Sequence, residues 1–86
     1  MDELRKRQKI ISQLVEARLE QGISQAELAR RLGIQRSGIN RLESGTQNPT
    51  LDMILKIASA LGKDVSLELN DKEEPMSHVY SLRIYD

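Results

Sequence analysis

Five polar side chains between positions 35 and 41 have the chemistry needed to read the edges of DNA bases. They are Gln35, Arg36, Ser37, Asn40 and Arg41. An arginine guanidinium can bond O6 and N7 of guanine together, and the amides of glutamine and asparagine can bond N6 and N7 of adenine. Each such paired contact favours the correct base over a wrong one by about 1–3 kcal/mol. On an isolated helix these would be ordinary solvated residues, so their function depends on the elements that carry them.

Glycines divide the first 62 residues of the chain into four predicted helices. Each glycine follows a segment of helical apolar periodicity, where a helix C-terminus favours a residue with positive φ. The four are Gly22, Gly33, Gly45 and Gly62. The predicted helices occupy residues 2–21, 25–32, 35–44 and 51–61.

Capping residues indicate where two of these helices begin. Ser24 and Glu27 form the S-x-x-E pattern of a capping box ahead of the second helix. Thr50 is the predicted N-cap of the fourth helix. Two short helices joined by a tight turn at Gly33 have the layout of a helix-turn-helix, whose second helix can enter a DNA major groove. That layout would carry the five polar side chains to the bases.

After the fourth helix the apolar period changes from that of a helix to that of a strand. Val65, Leu67 and Leu69 alternate with polar residues, which predicts a half-buried strand. So short a strand is not stable alone. We expect it to pair with the same strand of a second subunit, because a symmetric dimer removes an exposed apolar edge, although a hairpin on the helical core is an alternative. The run Val79–Tyr85 also alternates, and the sequence is compatible both with a second strand and with a disordered tail there.

The predicted fold class is mainly α, a bundle of four to five helices followed by a short C-terminal β-strand used in dimerisation. Residues 1–63 would form the DNA-binding domain, and residues 64–86 would serve dimerisation or partner binding. Residues 1–49 carry nine Lys and Arg against six Asp and Glu, and residues 50–86 carry four against seven. A basic front half fits a module that turns one side to phosphate, and an accidental distribution of solvated charges explains it equally well.

The residue inventory argues against an enzyme and against a metal site. There is no cysteine, so disulfides and thiolate ligands are excluded and a cytoplasmic location is expected. His78 is the only histidine, and neither a nucleophile–base pair nor a phosphate-cradling glycine loop is present. No apolar run approaches the ~20 residues that span a bilayer. We therefore expect no catalytic residue, no metal, no cofactor and no membrane partner.

Residues 10–62 resemble the DNA-binding domain of the XRE family, which includes repressors of the lambda repressor/Cro type. The resemblance rests on S-Q-x-E-L-A-x-x-L-G at Ser24–Gly33, on I-x-x-x-x-I-x-x-L-E-S-G at Ile34–Gly45, and on the helix that ends at Gly62. It implies a lambda-repressor-like helix-turn-helix bundle. The run KIASALGKDVSLEL is similar to antitoxins of the HipB type, in which a short strand crosses the two-fold axis of a dimer that represses its operon and holds a toxin.

The resemblance also implies roles for single residues. Gln25 corresponds to a glutamine that contacts a DNA phosphate in the family. Arg18 and Glu43 stand where the family has an internal ion pair that ties two helices together. Three residues after the reading helix are further candidates for phosphate contacts, with turn chemistry alone as the alternative explanation. They are Ser44, Thr46 and Asn48.

The implied function is sequence-specific transcriptional regulation, with double-stranded operator DNA as the ligand. A homodimer would bind an inverted repeat and repress its own operon, and a role as the antitoxin of a type II toxin–antitoxin pair would add a toxin protein as a partner. The alternative is a protein-binding adaptor or toxin-neutralising module with little DNA binding. An adaptor has no need of Gln25, Arg36 and Asn40, so this set favours DNA binding.

Two features of the sequence keep more than one interpretation. Gly38 interrupts the third helix, where glycine costs about 1 kcal/mol relative to alanine. Its missing side chain could let the backbone approach DNA or the second helix closely, or it could reflect tolerated drift. A basic cluster near the N-terminus could contact the DNA backbone or a partner, although a solvated helix face is the favoured interpretation. The cluster consists of Arg5, Lys6, Arg7 and Lys9.

Overall fold

The computed structural model describes residues 2–71 of the chain. Within that range it has four helices, α1 (Asp2–Glu20), α2 (Gln25–Leu32), α3 (Arg36–Ser44) and α4 (Leu51–Ala60). The predicted helices are confirmed, and no end differs from its prediction by more than one residue. Among these helices none combines the length and apolar character that crossing a bilayer requires.

The turn between α2 and α3 is closed by two local backbone hydrogen bonds. The N–H of Gly33 donates to the carbonyl of Arg30 at 3.2 Å, and the N–H of Ile34 donates to that of Ala29 at 3.0 Å. Gly33 has φ of 71°, a left-handed conformation that an L side chain disfavours. Only residues 33–35 separate the two helices, so the turn fixes the direction in which α3 leaves α2.

Both predicted N-caps are present. The hydroxyl of Ser24 accepts a hydrogen bond from the N–H of Glu27 at 3.0 Å, and the hydroxyl of Thr50 accepts one from the N–H of Met53 at 3.1 Å. Each bond satisfies a backbone donor that has no partner inside its helix. The starts of α2 and α4 are therefore set by their own sequences.

All four helices contribute to one apolar core. Leu28 of α2, Ile39 of α3 and Ile57 of α4 are its least exposed large side chains, at 1%, 1% and 2%. Helix α2 packs against both α3 and α4, and α1 packs against α3. The other buried apolar residues are Ile11, Leu14, Ala17, Ile23, Ala29, Leu42, Ala58 and Leu61. This packing orients α3, because its buried side cannot turn outward without exposing the core.

The segment after α4 forms no strand within the described residues. Val65 packs against the core, whereas the side chains of Leu67 and Leu69 are 63% and 101% exposed. A strand needs a hydrogen-bonded neighbour, and residues 2–71 of one chain provide none for this segment. The strand predicted at Val65–Leu69 is therefore not shown within residues 2–71. The run Val79–Tyr85 and His78 lie outside the described residues.

Candidate nucleic-acid interface

Helix α3 is packed on one side and accessible on the other. Ile39 and Leu42, which are 1% and 4% exposed, hold its inner side against the core. Gln35 precedes the helix as its N-cap residue, and its side chain makes no capping hydrogen bond. All five predicted base-reading residues are exposed: Gln35, Arg36, Ser37, Asn40 and Arg41.

The two arginines of α3 differ from those of α2 in their ion pairs. Arg30 and Arg31 of α2 both pair with Glu27, which takes up part of their charge. Within residues 2–71 neither Arg36 nor Arg41 has an ion-pair partner. An unpaired guanidinium keeps all its N–H groups for charge-assisted hydrogen bonds to an acceptor outside the chain.

Arg18 and Glu43 are brought together beneath this surface. Arg18 Nε lies 2.7 Å from Glu43 Oε2, and Arg18 Nη2 lies 2.9 Å from Glu43 Oε1. Arg18 Nη1 also donates to the carbonyl of Ile23 at 2.7 Å. The two charged side chains are only 9% and 11% exposed, so each depends on the other for compensation of its charge. The paired geometry ties the C-terminal part of α1 to the end of α3.

Gln25 connects this ion pair to the outer face of α3. Its Nε2 donates to Glu43 Oε1 at 2.9 Å, and its Oε1 accepts from Asn40 Nδ2 at 3.4 Å. The second bond is near the distance limit and is correspondingly weak. An amide nitrogen has two N–H groups, so Gln25 keeps one donor for another acceptor. Asn40, predicted to read bases, is in this structure directed to Gln25.

The last residue of α3 and the loop after it use their hydroxyl groups within the turn. The hydroxyls of Ser44 and Thr46 each donate to the carbonyl of Arg41 at 3.2 Å and lie 3.1 Å from each other. They therefore satisfy a carbonyl at the C-terminal end of α3, as the turn-chemistry alternative expects. Both residues are exposed, so their oxygens remain accessible from outside.

The comparisons with known proteins agree with this geometry. The model of the helix-turn-helix family HTH_3 matches residues 14–67, a segment that includes α2, α3 and α4 in full. The chain belongs to the XRE-type helix-turn-helix family. Membership of this family indicates a DNA-binding transcriptional regulator and not an enzyme.

Three curated relatives each have the name "Uncharacterized HTH-type transcriptional regulator". The one from Haemophilus influenzae is 38% identical over 67% of this chain and 59% of its own length. The one from Methanothermobacter thermautotrophicus is 45% identical over 57% of this chain and 71% of its own length. The one from Archaeoglobus fulgidus is 38% identical over 69% of this chain and 86% of its own length. No solved structure matches the chain at comparable significance.

A residue of the basic N-terminal cluster lies beside the helix-turn-helix. Arg7 Nη1 donates a hydrogen bond to Asn48 Oδ1 in the loop that follows α3. Arg7 is half-buried, whereas Arg5, Lys6 and Lys9 are exposed. The contact brings the positive N-terminal part of α1 next to a predicted phosphate-binding residue. The sequence favoured a solvated face for Arg7 and left a contact open, because nothing local reveals a contact between residues 41 positions apart.

A recess of about 300 Å³ opens along one flank of α3, next to the loop that follows it and the first turn of α4. Three predicted base-reading residues line it with exposed polar side chains: Gln35, Ser37 and Arg41. The rest of the lining consists of Gly38, the half-buried Ile34 and Met53, the exposed Gln47, and Ile39 and Leu42 from the buried side of α3. The recess thus runs from the exposed polar side chains of α3 towards its buried apolar side.

Proposed function

We propose that the protein is a sequence-specific DNA-binding transcriptional regulator that reads the major groove with α3. The observation that carries the proposal is the orientation of α3, which buries Ile39 and Leu42 and leaves Arg36 and Arg41 exposed without ion-pair partners in residues 2–71. A helix-turn-helix presents the N-terminal residues of its second helix to base edges, and Arg36 is the first residue of α3.

Base reading and backbone positioning would be divided between different residues. Arg36 would bind guanine through O6 and N7, while Gln35, Ser37, Asn40 and Arg41 would contact neighbouring base edges. Gln25 begins α2, where free N–H groups and the helix dipole favour an anion, and it keeps an amide N–H for a phosphate oxygen. The remaining phosphate contacts would come from Ser44, Thr46 and Asn48.

Arg7 would add a cation to the same edge of the interface. It donates to Asn48, so a phosphate held by that loop would lie within reach of a guanidinium. Contacts of this kind orient the protein on the duplex and carry no sequence information. They would raise the affinity for every sequence and make it more sensitive to salt.

The regulator would act as a homodimer on an inverted repeat. Two reading helices about 34 Å apart would enter successive major grooves on one side of the duplex. The support is the segment after the core-packed Val65, in which Leu67 and Leu69 are 63% and 101% exposed. Pairing of this segment across a two-fold axis would cover both leucines and supply the missing hydrogen-bonded neighbour. Residues 1–63 would then bind DNA and residues 64–86 would hold the dimer or a partner.

The HipB-type resemblance supports a specific biological role. The protein would act in the cytoplasm as the antitoxin of a type II pair and repress its own operon. The alternative is an adaptor or toxin-neutralising module with little DNA binding, and the exposed leucines would also suit a protein partner. A gel shift with the DNA upstream of the gene, beside a pull-down from the native host, separates the two roles.

The decisive experiment for DNA recognition is selection of bound duplexes from a random pool. The proposal expects an enriched inverted repeat whose half-site centres lie about 10 base pairs apart. The matched control is the Arg36→Ala variant, which should lose the preference at one position of each half-site. A pool that stays random with the wild-type protein would overturn the proposed function.

A further inference from the structure

Gly38 has no structural reason to be glycine within the described part of the chain. It lies inside α3 and is not among the glycines with positive φ, so its backbone conformation suits any residue. A Cβ at this position would meet only Ile34 Cδ1, at 3.7 Å, which is an ordinary contact. Close packing of α3 against α2 therefore does not require the missing side chain, and alanine would favour the helix.

The space left by Gly38 is part of the recess beside the reading face. Ile34, the neighbour that a Cβ would meet, lines this recess together with Gly38. A methyl group at position 38 would therefore occupy part of its volume of about 300 Å³. The recess is edged by Gln35, Ser37 and Arg41, so a base pair read by these side chains would lie over it.

The apolar lining of the recess indicates what would enter it. The apolar part of the lining offers no donor and no acceptor stronger than the Met53 thioether, so this part of the recess favours an apolar group. It is formed by Ile34, Ile39, Leu42 and Met53. Among the groups that base pairs present in the major groove, the C5-methyl of thymine is the apolar one. We propose that Gly38 is a specificity-determining residue, which keeps the recess open for a thymine methyl group. The inference rests on the proposed DNA-reading function of α3.

Gly38→Ala tests this inference because its two expected effects have opposite signs. The variant should melt about 4–8 °C higher than the wild type, since alanine is the better helix former and meets no clash. It should nevertheless bind the selected duplex more weakly, because the added methyl fills space that the base needs. Ser59→Ala is the matched control: it also favours a helix, but it lies on the exposed side of α4 outside the recess. It should stabilise the fold and leave DNA binding unchanged.

Replacing thymines of the selected duplex by deoxyuridine, one at a time, tests the methyl group itself. At one thymine of each half-site the wild-type protein should lose about fourfold in affinity, the value expected for one buried methyl group. Gly38→Ala should bind the thymine and uracil duplexes equally at that position. The affinities are measured by fluorescence anisotropy at one salt concentration.

Three results would overturn the role of Gly38. In the first, Gly38→Ala binds the selected duplex as tightly as the wild-type protein does. In the second, no uracil substitution changes the affinity of the wild-type protein. In the third, Gly38→Ala keeps the full preference for thymine over uracil. Each of these can occur while the wild-type protein binds its selected duplex tightly, so the proposed function would survive them. Failure of the wild-type protein to select any duplex would instead overturn the function as well as the inference.

Discussion

Arg36 and Gln25 are expected to make different kinds of contact with the same duplex. Arg36→Ala should cost about 1–3 kcal/mol on the preferred sequence and relax the preference at one base pair, because a bidentate guanine contact is lost. Gln25→Ala should weaken binding to all sequences alike, since a phosphate contact carries no base information. Anisotropy titrations with the selected duplex and its single-base variants distinguish the two patterns. The assigned roles are wrong if Arg36→Ala weakens binding to all sequences alike and Gln25→Ala changes the preference at one base pair. They are also wrong if both variants bind DNA as tightly as the wild-type protein.

The Arg18–Glu43 pair is expected to stabilise the fold itself. Glu43→Gln should lower the free energy of unfolding by about 3–5 kcal/mol, because it leaves the buried guanidinium of Arg18 without a countercharge. Glu27→Gln is the matched control, since Glu27 pairs with arginines that are 73% and 43% exposed. That control should change stability by no more than about 1 kcal/mol. Thermal melts of both variants measure the difference, and equal melting temperatures would contradict a structural role for the pair.

Single residues were predictable from the sequence to different degrees. The resemblance alone suggested that Arg18 and Glu43 pair. The bonds of Gln25 to Glu43 and of Asn40 to Gln25 were not foreseen, because they join residues 18 and 15 positions apart. Side chains that far apart meet only when the packing angle of α2 against α3 is known, and no local pattern encodes that angle.

At the scale of elements, helix boundaries were the most predictable feature. The caps at Ser24 and Thr50 and the turn at Gly33 are set by neighbours within a few residues, so their sequence patterns were sufficient. The contact between α1 and the loop after α3 was not predictable, because it depends on how far the N-terminal part of α1 extends along the bundle. The strand at Val65–Leu69 was predicted from alternation, which indicates a surface to be covered but does not supply the covering strand.

The N-terminal part of α1 is expected to contribute to DNA affinity through Arg7. Arg7→Gln should weaken binding to every sequence and reduce the slope of log affinity against log salt by about 1, because one phosphate contact is lost. Lys56→Gln removes the same charge from the exposed surface of α4 and serves as the matched control. Binding isotherms at several salt concentrations provide the slopes. If the slope is unchanged in Arg7→Gln, or is reduced equally in the control, Arg7 does not contact the DNA.

At the scale of the whole molecule, the proposed regulator is a dimer of two copies of the chain. Leu67→Asp should convert a dimer to a monomer, because the charged side chain cannot be covered by the apolar segment of a partner. Glu68→Gln, a change at the neighbouring exposed position, should leave the dimer intact. Sedimentation velocity over a range of protein concentrations measures both. A wild-type protein that remains monomeric at every concentration would contradict dimerisation through this segment.

The proposed function requires the outer face of α3 to contact the bases of a duplex. The most direct measurement is an NMR titration of the ¹⁵N-labelled protein with the selected duplex, following backbone amides and the arginine Nε–H groups. The largest shifts should fall on residues 35–41, on Gln25 and on Arg36 Nε, while the exposed side of α4 stays unchanged. Shifts concentrated on α4 or on residues 63–71, with α3 unaffected, would contradict it.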